Sequence, residues 1–315
     1  MKKIRLDCPA KINLLLNILN KRNDGFHNIH TIFEKISFFD RIQIEELSNK
    51  DTILITSNKR GLPRGKDNLC YKAATIFKTR FKIRTGLKIH IEKNIPQAAG
   101  LGGGSSNAAG IIKGLNLLWN IGLGRKELED IAGRIGSDVP LFISKYSFIL
   151  GQKRGEDLVD LKQLEDIKIW HILICPSLEI SSKFAYNLYD RYFKGDFKKS
   201  FINFNNQPKL KLTMKDYDVN IIIHCLLKKD IFLLDCYSYN DFSYPIFKRF
   251  KQLSTLKQKI ERIVDSFVHL SGSGSTLFTF HKERKEAEDL AKILEKKVNK
   301  CRFFVVSTYK NKEEV

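Results

Sequence analysis

Cysteine is sparse along this chain and never clustered. Cys8, Cys70, Cys175, Cys225, Cys236 and Cys301 lie far apart, with no C-x-x-C pair and no neighbouring His-x-x-x-His. Neither a zinc site nor a disulfide framework is suggested, so reduced, structural thiols are expected. A signal-peptide pattern is also missing, because "MKKIRLDCPAKINLLLNIL" carries charges through its first half and has no small-residue cleavage site. No apolar run approaches membrane-spanning length. No internal repeat or low-complexity segment stands out. These absences predict a cytoplasmic protein with no membrane partner. Three nucleotide-binding signatures are absent too. Gly61-Leu62-Pro63-Arg64-Gly65-Lys66 is one residue too short for a Walker loop and is followed by Asp67. Gly102-Gly103-Gly104-Ser105-Ser106-Asn107 has asparagine where a dinucleotide fingerprint needs its third glycine. Protein-kinase H-R-D and D-F-G are not found.

Acidic residues are in the minority. Lys+Arg number 55 against 35 Asp+Glu, a formal net charge of +20. Such a field draws in polyanions, nucleic acid among them. The lysines are dispersed, however, and "EKKVNKCR" and "KRFKQLSTLKQK" read as solvated helix faces, so no nucleic-acid partner is expected. Hydrophobic residues at 43% and aromatics at 11% are ample for packing, and 315 residues suggest two domains.

The first third reads as strands and turns. "IRLDCPAKINLLLNIL" and "TIFEKISFFDRIQIEE" alternate apolar and polar residues in places, joined by the turn chemistry of "NKRNDGFH". A helix follows, with Asp67 as its expected cap and Leu69, Ala73, Ile76, Phe77 and Phe81 on one face. "GLKIHIEKNIP" reads as a strand leading into a glycine cluster, and Arg125 to Ile135 as a helix that stops at Gly136. A charged connector near Leu161 to Lys168 sets the expected boundary: residues 1–163 form one domain, 164–315 the other. The second contains strands at "IKIWHILICP", at both ends of "HLSGSGSTLFTF" and at "RFFVVSTY", and a helix through Ala287, Leu290, Ala291, Leu294 and Val298. Mixed elements of this kind predict an α+β fold. The middle segment, around residues 193–220, has no firm periodicity.

The cluster "GLGGGSSNAAG", Gly100 to Gly110, runs directly into a helical pattern that Ser105, Ser106 or Asn107 is placed to cap. A flexible loop ending at a helix N-terminus gathers free N–H groups and the positive end of the helix dipole, which favours phosphate. A plain surface turn is the alternative. In "PAKINL", Lys11 stands at the edge of an apolar strand; it either finds a counter-charge or snorkels to water. In "GSDVPLF", Asp138 is either a turn residue or an acid–base group. Taken together, Lys11 and Asp138 are natural counter-ions beside a phosphate loop. The set has the parts of a phosphoryl-transfer site: a polyphosphate cradle, a base for a hydroxyl and a cation for developing charge.

"PAKINLLL", "NIPQAAGLGGGSSNAA" and "LSGSGSTLF", in this order, resemble the three motifs of the GHMP kinases. "RNDGFHNIHTIFEKI", "DNLCYKAA", "GSDVPLF" and "NDF" narrow the likeness to a branch whose acceptor alcohol carries a cytidine diphosphate, in non-mevalonate isoprenoid synthesis. The motifs spread from about Cys8 to Phe278. The fold this resemblance implies is an N-terminal ribosomal-protein-S5-like domain and a C-terminal ferredoxin-like domain, with the site in the cleft between them.

The resemblance also implies roles. Asp138 would accept the hydroxyl proton and Lys11 would stabilise the transferring charge, with Asn13 orienting the same hydroxyl. Gly100, Leu101, Gly102, Gly103, Gly104, Ser105 and Ser106 would wrap the ATP phosphates, with Pro96 leading into the loop and Asn68 and Lys93 near the adenine. Mg²⁺ would arrive with ATP, with Ser105 and Ser106 as candidates for contact with it or with the phosphates. Phe26, His27 and Tyr186 would hold the cytosine by aromatic stacking, Ser182 would line the acceptor site, and Gly272 and Gly274 would lie beside the substrate diphosphate. The expected partner is a small cytidine diphosphate compound, and the chain would act as monomer or homodimer. Phe26 stands where tyrosine is usual, Ser182 where threonine is frequent, and Leu270 and Ser275 also depart from the pattern, yet no reacting group is lost. Two alternatives stay open: a GHMP kinase for another alcohol of the homoserine or mevalonate type, and an inactive basic nucleic-acid-binding protein on the same fold.

Overall fold

The computed structural model describes residues 2–48, 51–193 and 218–310. Of the irregular middle segment around residues 193–220, residues 194–217 lie outside the described residues, while Phe193 ends one helix and Val219 begins the next. The first elements are β1 (Lys3–Lys21), β2 (His27–Leu47), β3 (Ile53–Ser57), α1 (Leu69–Arg80), β4 (Gly86–Glu92), α2 (Gly103–Leu118) and α3 (Arg125–Gly133). After them come β5 (Phe148–Gln152), β6 (Asp157–Asp160), β7 (Trp170–Pro176), α4 (Ser182–Phe193), α5 (Val219–Lys228), α6 (Ile231–Tyr237) and β8 (Tyr239–Asn240). The chain ends through α7 (Ser243–Arg249), α8 (Lys251–Val264), β9 (His269–Leu270), β10 (Leu277–His281), α9 (Arg284–Lys297) and β11 (Cys301–Ser307). This is the mixed α+β pattern that the sequence predicts, and the strands of the described residues form two sheets. Two compact units result: Met1–Lys11, Ser37–Gln97 and Gly102–Lys145 form one, and Ile12–Ile36, Ala98–Leu101 and Tyr146–Val315 the other.

In the first unit β3 pairs parallel to β4, and β4 pairs antiparallel to the second half of β2, with Ile44 opposite Ile89 and Ile42 opposite Ile91. The alternation of that half of β2 is real: Ile42 and Ile44 are buried while Arg41 between them and Asp40 is exposed. Helices α1 and α2 pack on each other through Ala73, Ala74 and Phe77 and through Ala108, Ile111, Ile112 and Leu115, all fully buried. Two small residues on α2 let it lie close to the sheet. A Cβ at Gly110 would stand 2.7 Å from Ile42 Cδ1, and one at Gly114 2.6 Å from Ile44 Cδ1.

In the second unit β7 is the centre of a sheet ordered β11-β7-β10-β9, with Ile172 opposite both Thr279 and Val305. The continuous apolar run of β7 matches its burial between two neighbours. Ile172 and Ile174 share a core with Leu188, Phe242, Ile246 and Leu294, residues of α4, β8's exit, α7 and α9. The second half of β1 pairs parallel to β8, Leu16 opposite Asn240. The first half of β2 pairs with β5, and β5 with β6.

Three boundaries correct the sequence expectations. Asn68, not Asp67, caps α1: its Oδ1 accepts the Cys70 N–H at 2.8 Å. Helix α2 starts at Gly103 with Gly102 as its N-cap, ahead of Ser105, Ser106 and Asn107. Tertiary packing there overrides the poor helix propensity of glycine. Helix α3 ends at Gly133 with Arg134 at its C-cap, short of Ile135. All six cysteines are free. Burial pushes the Cys70 thiol up to about 12 and Cys175 to about 11, which suits inert core thiols. No helix of the described residues is long and apolar enough to cross a membrane.

Candidate active site

The first unit brings together three stretches that are distant in sequence and hold candidate site residues. Lys11 comes from β1, flanked by the fully buried Ala10 and Ile12, and is itself only 5% exposed. Burial pushes the Lys11 ammonium below the usual lysine range, and the charge of Asp138 pushes it partway back. Asp138 is half-buried in the turn closed by the Val139 N–H on Gly136 O at 3.1 Å. The next residues, Pro140–Phe142, form a short 3₁₀ turn. Gly102 meets both stretches. Its φ of +69° suits glycine, and a Cβ there would lie 3.1 Å from Lys11 Cγ and 3.0 Å from Phe142 Cζ. The loop, the lysine strand and the aspartate turn are therefore neighbours.

At the start of α2, Gly102 offers no side-chain cap to the first-turn amides, so these donors are open to a ligand. Ser106 is 1% exposed, and among the described residues its hydroxyl has no hydrogen-bond partner. Ser105 is half-buried and Gly104 exposed. A buried hydroxyl without a partner calls for an explanation, and an oxygen-rich polyphosphate supplies one. The residues present fit a nucleotide's phosphate chain.

Lys93 and Asn68 are already engaged. Lys93 Nζ donates to Asp40 Oδ2 and, at 3.0 Å, to Ile95 O. Asp40 Oδ1 also accepts the Asn94 and Ile95 amides at 2.7 and 2.8 Å. Asn68 spends its amide on the α1 cap and, at 2.6 Å, on Pro63 O. Both side chains hold the backbone that leads into the helices on either side of the loop. Pro96 is half-buried in the intervening turn.

The second unit holds the remaining predicted residues. Asn13 Nδ2 donates to Thr31 Oγ1 at 2.7 Å, and that hydroxyl donates to Leu15 O at 2.6 Å. His27 and Tyr186 stack on each other, centroids 4.9 Å apart and planes 13° from parallel. Phe26 is 51% exposed, with the Arg154 guanidinium 4.9 Å from its ring centroid. Ser182 Oγ lies 3.5 Å from Ser273 Oγ, between Gly272 and Gly274 in "SGSGS". Gly100, at φ +77°, abuts the same motif: a Cβ would fall 1.9 Å from Ser271 O, while Ser271 Oγ donates to Gly100 O at 3.0 Å.

Sequence reasoning missed two anchors here. Asn240 Nδ2 donates to Leu270 O and Gly272 O, each at 2.8 Å, which fixes the glycine turn. Asp241, buried and accepting the Ile18 N–H at 2.5 Å, has its carboxyl pushed up to about 7 by burial. The "NDF" motif held both, without any local sign of what they bind.

Comparison with known proteins decides the family. Residues 68–146 match the GHMP kinases N terminal domain. A 4-diphosphocytidyl-2-C-methyl-D-erythritol kinase of Clostridioides difficile (strain 630) is 37% identical, over 91% of this chain and 90% of its own length. The chain belongs to this family of GHMP kinases. It is accordingly a kinase. A crystal structure of 4-(cytidine 5'-diphospho)-2C-methyl-D-erythritol kinase superposes with a TM-score of 0.74 at 25% identity, covering 96% of this chain and 98% of that one. The L. major mevalonate kinase complex with R-mevalonate has a TM-score of 0.73 at 14% identity, covering 98% of each chain, a likeness of fold alone.

Proposed function

We propose that the chain transfers the γ-phosphoryl group of ATP to the 2-hydroxyl of 4-diphosphocytidyl-2-C-methyl-D-erythritol, a step in non-mevalonate isoprenoid synthesis. The observation that carries this reading is the buried Lys11 facing the charge of Asp138 beside an uncapped helix N-terminus, on a chain 37% identical to a kinase named for that substrate. Asp138 serves as the base that accepts the hydroxyl proton. Lys11 places its ammonium, which a low-dielectric setting makes more effective, against the charge that develops on the transferring group. The amides of Gly102 to Ser106, with Gly100 and Leu101 before them, would hold the phosphates, and Lys93, Pro96 and Asn68 keep the backbone around them in place. ATP, bound there with Mg²⁺, supplies the phosphoryl group.

In the second unit Phe26, His27 and Tyr186 would recognise the cytosine, Ser182, Gly272 and Gly274 the acceptor and its diphosphate, and Asn13 the hydroxyl. Residues 1–163 are read as the N-terminal GHMP kinase domain and 164–315 as the C-terminal one, in a cytoplasmic enzyme whose partner is a small molecule. The test is an ADP-release assay with the cytidyl acceptor against homoserine and mevalonate. Turnover confined to the cytidyl compound supports the reading; a preference for either other alcohol, or salt-sensitive RNA binding without turnover, overturns it.

A further inference from the structure

One carboxylate holds the turn that presents Phe26. Lys21 ends β1 and His27 begins β2, so they flank residues 22–26. Asp190, on α4, reaches both: its Oδ2 accepts from Lys21 Nζ at 2.5 Å, and its Oδ1 lies 2.7 Å from His27 Nε2. The turn also has its own brace, since Arg22 Nε donates to Asp24 Oδ1 and Oδ2 at 3.2 and 3.1 Å and Asp24 Oδ1 accepts the Phe26 amide at 3.1 Å. Tyr186 precedes Asp190 by four residues on α4 and so shares its face. From there its ring stacks on His27.

The His27 side chain is 3% exposed and that of Asp190 24%, so water competes poorly for the bond between them. Burial would raise the Asp190 carboxyl, but the bonds from Lys21 and His27 outweigh it and hold the group below the usual carboxylate range. It is a charged acceptor at neutral pH, and charge-assisted bonds are the stronger kind.

We infer that Asp190 is a positioning residue: by joining both ends of the β1–β2 turn to α4, it fixes His27 against Tyr186 and holds the turn that carries Phe26, and so sets the affinity for the cytidine diphosphate part of the acceptor. The inference rests on the substrate reading given above. It assigns Asp190 no contact with the reacting atoms.

The test uses CDP as the probe in titration calorimetry, with steady-state kinetics on the full chain and a melting temperature for each variant. Asp190→Asn keeps an acceptor for one partner and loses the charge, with an amide N–H in place of one oxygen. It weakens CDP binding about tenfold and raises KM for the cytidyl acceptor by a similar factor, while kcat and KM for ATP stay within about twofold. Asp190→Glu, which keeps the charge, recovers most of that affinity. Lys21→Met removes one arm only and gives a smaller loss, and adding it to Asp190→Asn costs little more, as expected for groups sharing one network. Unchanged CDP affinity in Asp190→Asn, with the wild type turning over the acceptor, overturns the inference and leaves the function standing. Equal losses for CDP and ATP also overturn it, because they mark a general folding defect. A wild type with neither CDP binding nor turnover overturns both.

Discussion

Lys93–Asp40 and Lys11–Asp138, two of the lysine–aspartate couples in the first unit, differ in where their carboxylate sits. Lys93 and Asp40 are 4% and 0% exposed at their side chains. Asp40 takes the ammonium and two backbone amides, and Lys93 adds the carbonyl of Ile95. Such a pair is saturated and holds a turn. Lys11 is just as buried, but its counter-charge, Asp138, is half-buried on a turn. The first couple fixes backbone; the second is the couple proposed above to act on phosphate and acceptor.

That contrast can be broken in several ways. Lys11→Met should lower kcat by about 10²–10³, the usual loss for one transition-state donor, with little loss of melting temperature; a variant that unfolds instead would place Lys11 with Lys93. Asp40→Ala should behave in the opposite way, losing roughly 3–5 kcal/mol of stability because a buried ammonium loses its partner, as urea unfolding would measure. A stability change below about 1 kcal/mol would contradict the saturated-pair account.

The pH dependence separates the couples further. Because burial depresses Lys11, activity should fall as pH rises through a value below the ordinary lysine range, and Lys11→Arg, always charged, should lose that alkaline limb while keeping some turnover. Stability runs the other way. In that window the unfolded chain binds the proton that the folded chain has released, so the contribution of Lys11 to stability improves with rising pH. An activity profile flat to the ordinary lysine value would remove the argument. The smallest effect is expected at Ser106. Ser106→Ala removes a buried hydroxyl without a partner, so stability should hold or rise slightly, while KM for ATP rises by roughly three- to tenfold if that hydroxyl meets phosphate. Binding of an ATP analogue measures it directly.

Much of the fold was legible because it is written in local pattern. The alternation at Ile42 and Ile44, the apolar run of β7 and the amphipathic spacing of α9 each survive in the structure. The glycine cluster also announced its helix. What it did not announce was where that helix starts, since Gly103 and Gly104 join it through packing that no propensity scale contains. Asn68 outcompeted Asp67 as a cap because only its oxygen reaches the Cys70 amide in this turn. Short β3, β5 and β6 went unread, being four or five residues each. Lys11 and Asp138, the couple proposed to react, stand out in the sequence as charges in apolar company. The long-range braces of the turns were not legible: Asp40 is 53 positions from Lys93, Asn240 about 30 from the carbonyls it clamps, and Asp190 is 163 from His27. Such pairings are made by topology.

The most direct test of the proposed Lys11–Asp138 couple is kcat for Asp138→Asn with ATP and the cytidyl acceptor, measured beside ATP-analogue affinity and melting temperature. The account predicts a fall of about 10²–10⁴ in kcat with the other two nearly unchanged. Wild-type turnover in that variant would contradict it.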